Sequence, residues 1–153
     1  MKIGQQKRIP ATRPGSKQHR HVFGAYNWYQ DTISWTSAET KNSATFIAFL
    51  EELLVKDYPT GRVVLVMDNA SYHKSASVLA ALSLFEHRVM VIWLPPYCSD
   101  LNPIERFWRH LKDLACANRL EDNIEEVLKA TVKILDEQNN PAFTLRFHVS
   151  KNL

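Results

Sequence analysis

The sequence predicts a mixed α/β fold. Three observations carry this: two short, β-branched apolar runs at 63–67 and 89–94, segments of helical period around them, and two alternating stretches nearer the start that a turn can join. With 153 residues, 45% of them hydrophobic and 23% charged, the chain suffices for one domain with a real core and is too apolar for a disordered segment.

Residues 1–19 hold Gly4, Pro10, Pro14 and Gly15 among basic residues and show no sustained apolar period, so they read as a basic arm or loop ahead of a folded domain at 20–153. Strands at 21–26 and 32–36 form a hairpin turning near 27–31. From Ser43, Phe46, Ile47, Phe49, Leu50, Leu53 and Leu54 recur at helical spacing, with Glu51, Glu52 and Lys56 opposite, until Pro59 and Gly61 end the helix. The run at 63–67 reads as a strand covered on both faces, followed by a helix at 75–85 and a second buried strand that Pro95 and Pro96 stop. Asn102 then suits an N-cap and Pro103 the first helical position, ahead of a stripe of Ile104, Phe107, Trp108, Leu111 and Leu114. Asn123 opens a last amphipathic helix through Ile124, Val127, Leu128, Val132 and Leu135. The order β, β, α, β, α, β, α, α implies buried strands joined by helical crossovers.

Net charge is +3, but its distribution matters more. No Asp or Glu precedes Asp31, whereas Lys2, Lys7, Arg8, Arg13, Lys17 and Arg20 all do. Such a segment can neutralise backbone phosphates without reading sequence, which makes Lys7, Arg8, Arg13, Lys17 and Arg20 candidate DNA contacts; a solvated basic loop has the same composition. Cys98 and Cys116 form neither a CxxC motif nor a disulfide framework, as expected of a reducing cytoplasm. No leader pattern is present and no apolar run reaches membrane-spanning length, so no membrane partner is expected.

Asp68 directly follows an apolar strand, at the end where α/β sheets collect ligands; an Asp-Asn pair there also suits a plain turn. Glu105 has the spacing of a capping box with Asn102 and lies one turn from Arg109, so a cap and a ligand are both open to it. Two carboxylates meeting at one sheet edge are a common basis for a divalent-metal site in phosphodiester chemistry.

Together these residues form longer motifs: Met67-Asp68-Asn69-Ala70-Ser71-Tyr72-His73-Lys74, and Leu94-Pro95-Pro96-Tyr97-Cys98-Ser99-Asp100-Leu101-Asn102-Pro103-Ile104-Glu105-Arg106-Phe107-Trp108. Thirty-six residues, 69 to 104, lie between the two carboxylates. This pattern, with Gly4-Gln5-Gln6, Ile9-Pro10 and Val22-Phe23-Gly24-Ala25, resembles the DDE transposases of the insertion-sequence branch related to mariner. The resemblance implies a ribonuclease-H-like fold, with Asp68 and Glu105 as the second and third acidic residues of the triad and as ligands of Mg²⁺ or Mn²⁺. Asn69, His73 and Asn102 would support them, and Asp100 would be a turn residue.

The implied chemistry is strand cleavage at transposon ends and strand transfer into target DNA, by a homodimer in the cytoplasm that is nucleoid-associated when bound to DNA. By the same resemblance a first catalytic Asp belongs on a central strand upstream of Gly4, so an N-terminally truncated fold lacking that strand is expected, inactive alone. Asp31 falls in the hairpin turn, at the wrong end to replace it. Three readings follow: a transposase fragment completed by an upstream-encoded segment, a non-enzymatic remnant that binds DNA or intact transposase, and a structure-specific nuclease.

Overall fold

A computed structural model describes residues 2–3, 7–10, 19–116, 124–144 and 146–148. Among the described residues, six strands form one sheet: β1 (Lys2–Ile3), β2 (Lys7–Pro10), β3 (His19–Asn27), β4 (Thr32–Ala38), β5 (Val63–Met67) and β6 (Val89–Trp93). Four α-helices accompany them: α1 (Ser43–Glu52), α2 (Ala76–Ser83), α3 (Pro103–Cys116) and α4 (Ile124–Asn139).

The hairpin expected at 21–36 is the longest pairing, with β3 and β4 in register from Asn27↔Thr32 to His21↔Ala38. The opposite edge of β3 takes β2 and then β1, both antiparallel. β1 also pairs parallel with β5 at Lys2↔Val66, and β5 pairs parallel with β6 from Val63↔Val89 to Met67↔Trp93. Two expectations are corrected here. The segment read as an arm contributes two strands, and the central slot read as empty is filled, over two residues, by β1. Backbone N–H and C=O groups between β3 and β5 need partners whatever the local side-chain pattern, and a period-based reading does not see that demand.

β3 shows why the molecule has two apolar layers. Its side chains alternate: Phe23 and Ala25 join Phe46, Phe49, Leu50, Leu65, Met67 and Val78 beneath α1 and α2, whereas Val22 and Tyr26 join Ile104, Phe107, Trp108, Leu111 and Leu135 beneath α3 and α4. Gly24 points to the second layer, where a Cβ would lie 2.6 Å from Cη2 of buried Trp108, so the indole occupies the space that a side chain would need.

The strands β5 and β6 were expected to be covered on both faces. Only one face is. Val63, Leu65 and Met67 are buried beneath the α1 and α2 layer, but Val64 (41% exposed), Met90 (62%) and Ile92 (46%) meet solvent, because the helices of the second layer pack over β1, β3 and β4 instead. The expected α3 stripe is also shifted at its end, with Leu114 exposed and Ala115 buried.

Local signals fix the helix ends. Asn42 caps α1 by accepting from the Thr45 N–H at 2.9 Å, and the Thr45 hydroxyl oxygen accepts from the Asn42 N–H at 3.1 Å. The helix continues as a π-helical turn over Leu53–Asp57, closed by the Tyr58 N–H on the Leu53 carbonyl at 2.9 Å. Arg88 binds this turn to the start of β6, donating to the carbonyls of Tyr58 (2.8 Å) and Leu54. Gly61, at φ 83°, then reverses the chain into β5. No helix of the described residues is long and apolar enough to cross a membrane.

Candidate active site

The parallel pair β5 and β6 ends together, and the chain leaving each strand is bound to the other. Met67 accepts from the Leu94 N–H at 2.8 Å, and the Asn69 side-chain amide donates to the Leu94 carbonyl. Asp68 therefore sits at a fixed strand end, 6% exposed. Its Oδ1 accepts the Ala70 N–H at 3.0 Å and the Nδ1 of His73 at 2.8 Å. A carboxylate oxygen can only accept, so the His73 proton is on Nδ1.

His73 is fully buried, its ring centroid 4.4 Å from that of Phe46 and 4.3 Å from that of Tyr72. The short 3₁₀ turn Ser71–Lys74 delivers it, through the His73 N–H on the Ala70 carbonyl at 2.9 Å. Asp68 thus fills the turn role expected of an Asp-Asn pair and has a buried histidine partner as well.

Glu105 lies in the first turn of α3, half-buried, with its N–H on the Asn102 carbonyl at 3.0 Å. Buried Ile104, Phe107 and Trp108 anchor this turn in the second apolar layer, and Asn102 is itself buried. A carboxylate in the first helical turn is favoured by the partial positive charge of the helix start.

Beside Asp68 opens a cleft of about 380 Å³, lined by Asp68, Asn69 and Ala70 on one side and by residues 94–98 on the other; Glu105 is not in its lining. Carboxylate oxygens are suitable donors for a hard divalent cation, and Asp68 and Glu105 fit one in chemistry. Among the described residues, however, no three His, Cys, Asp or Glu side chains gather around one point.

The remaining candidates separate. Asp100 is exposed in a 3₁₀ turn, Ser99–Leu101, as expected of a turn residue. Asp31 occupies the β3–β4 turn at φ 54°, where its Oδ1 accepts the Tyr26 hydroxyl at 2.7 Å and its Oδ2 faces Nδ1 of His148 at 3.0 Å. Of the basic candidates, Lys7 and Arg8 lie on β2, while Arg13 and Lys17 fall outside the described residues. Arg20 is paired, 2.5 Å from Glu39 and 3.8 Å from Glu125. That hydrogen bond to Glu39 raises the Arg20 pKa further and holds the Glu39 carboxyl below its usual range.

Reasoning from sequence passed over Tyr97 as an individual residue, although the Pro-Pro-Tyr turn was in view. It lines the cleft, is fully exposed and has φ 62°.

Known proteins share both the sequence pattern and the fold. Residues 1–128 match the DDE superfamily endonuclease model. The chain is 29% identical over 126 residues to the insertion element IS630 uncharacterized 39 kDa protein of Shigella sonnei, covering 82% of this chain but only 36% of that relative's length. In fold it is similar to the catalytic domain of Mos1 mariner transposase, with a TM-score of 0.68 at 20% identity, covering 88% of this chain and 69% of that one. Mos1 structures with similar TM-scores include the catalytic domain with raltegravir and Mg or Mn, and a paired-end complex with the left transposon end. The catalytic core of BIV integrase matches at a TM-score of 0.56 and 12% identity, over 87% of this chain and 80% of its own. The two-layered sheet is thus a ribonuclease-H-like fold of the integrase and transposase type, and the chain belongs to the DDE superfamily endonucleases.

Proposed function

We propose that this chain supplies the second and third carboxylates, Asp68 and Glu105, of a metal-dependent site that cleaves DNA strands at transposon ends and joins them to target DNA. One observation carries the reading: Asp68 stands at the end of β5, held by His73 and Ala70, beside a cleft whose other wall is the segment leading to Glu105. A divalent cation on these carboxylates, Mg²⁺ or Mn²⁺, would activate an attacking oxygen and stabilise the leaving one. The chain's own residues do the rest. His73 and the Ala70 N–H fix one carboxylate oxygen of Asp68, and Asn69 holds the cleft's opposite wall through Leu94. Asn102 holds the first turn of α3 and so the backbone of Glu105.

The first acidic ligand would come from outside the described residues, in an upstream-encoded segment that completes the site. Two carboxylates alone position a cation poorly, so the chain by itself has little or no activity. The Mos1 complex with a transposon end supports DNA as the partner, and the Mos1 structures with Mg and Mn support the choice of metal. Action in the bacterial cytoplasm, as a homodimer on paired ends, belongs to the same reading.

The test is metal-dependent nicking of DNA carrying the element's own end. It compares the chain alone, the chain with the upstream-encoded segment, and that mixture carrying Glu105→Ala. Nicking only in the mixture, abolished by Glu105→Ala, is the expected result. Nicking by the chain alone would refute the need for an outside ligand. A second reading, a remnant that binds DNA without cutting it, draws on the lack of a three-ligand cluster among the described residues, and DNA binding with no nicking in any mixture would favour it.

A further inference from the structure

The cleft beside Asp68 carries a side chain with no role inside the molecule. Residues 95–98 form a reverse turn closed by the Cys98 N–H on the Pro95 carbonyl at 3.3 Å. Proline at the second position fixes φ near −65°, which excludes the primed turns. With φ 62° at Tyr97, the third position has the hallmark of a type II turn, where glycine or asparagine is the ordinary occupant. A bulky aromatic there is strained. Packing does not offset the strain, because the Tyr97 side chain is 105% exposed. A strained, solvated aromatic on the wall of a catalytic cleft has its reason in what enters the cleft.

We infer that Tyr97 is a stacking platform for an unpaired base of a DNA strand led toward Asp68, an inference that rests on the proposed DNA-cutting function. Aromatic faces accept any base, which suits a strand whose sequence need not be read at that point. Charge at the same end of the sheet fits the phosphates of such a strand: the Lys74 ammonium lies 5.0 Å from the ring centroid of Trp93, the last residue of β6.

The test uses the full chain and fluorescence anisotropy with three DNAs: a duplex with a short single-stranded overhang, the same overhang made abasic, and a blunt duplex. Tyr97→Ala is expected to weaken binding of the base-bearing overhang about tenfold, while Tyr97→Phe retains it and neither variant changes the other two DNAs. Tyr97→Gly separates function from folding. It relieves the positive φ, so its melting temperature should rise while overhang affinity falls as in the alanine variant. A melting temperature that falls would assign Tyr97 a structural role and overturn the inference, as would equal losses on the abasic overhang. Parent-level binding by Tyr97→Ala would overturn the stacking role alone, with the DNA-cutting reading intact. Failure of the parent chain to bind any of the three DNAs would overturn the stacking inference, while nicking by the mixture with the upstream-encoded segment decides the DNA-cutting reading separately.

Discussion

His73 shows what a single residue adds once its neighbours are known. From sequence it was a histidine after a strand, with a supporting role carried by resemblance; in the fold its Nδ1 holds Asp68 at 2.8 Å inside an apolar wall of Phe46 and Tyr72. His73→Leu leaves a buried carboxylate short of one donor and is expected to lower stability by about 1–3 kcal/mol, measured by urea unfolding. His73→Asn places an amide donor near the former Nδ1 and should recover part of that loss. Gly24 makes the converse case. Gly24→Ala drives a methyl against Trp108 and is expected to cost about 1–3 kcal/mol, an effect that Trp108→Phe partly reverses in the double variant. The places of Asp68 and Glu105 in the fold were legible because each lies where an element with a clear pattern ends or starts. Tyr97 was not, because its distinguishing property is a backbone angle, and Gly24 was not, because its constraint lies 84 positions away (108 − 24).

The elements that the sequence revealed best are those whose own pattern decides them. The hairpin, α1, β5, α2, β6 and α3 lie within a few residues of expectation, because apolar period and terminal residues agree there. Asn42 is such a terminal residue: Asn42→Ala should destabilise by about 1 kcal/mol in thermal or urea unfolding, with Asn42→Asp close to the parent. The first two strands were illegible for the opposite reason, since β1 and β2 exist through the edge of β3 that they satisfy. The coverage of β5 and β6 was misread on one face because a continuous apolar run does not say how many helices reach it. Val91→Thr and Ile92→Thr separate the two faces. Val91 packs against the first layer and its replacement should cost over 1 kcal/mol, whereas the change at half-exposed Ile92 should cost less than half of that.

Over the whole molecule, charge is arranged less simply than the run of basic residues suggests. Arg20 is engaged by Glu39, and Glu39→Gln is expected to release it for phosphate contact, raising DNA affinity and steepening the dependence of log K on log salt by about 0.9. Because the Glu39 carboxyl is held below its usual range, the pair's contribution is present at neutral pH and fades as pH falls through that lowered value. A different long-range arrangement centres on the turn of the first hairpin. The Gln138 side chain and Arg146 both donate to the Asp31 carbonyl, at 2.7 and 2.9 Å, and the Gln138 side-chain carbonyl accepts the Phe147 N–H at 2.8 Å. The turn's left-handed residue is thus held by groups more than a hundred positions later in the chain. Closing so long a loop is entropically costly and comes after local pairing, so β3 and β4 can zip early while their connecting turn waits for α4 and the residues beyond it. During synthesis, the first hairpin is therefore finished only after residues 138–147 have left the ribosome.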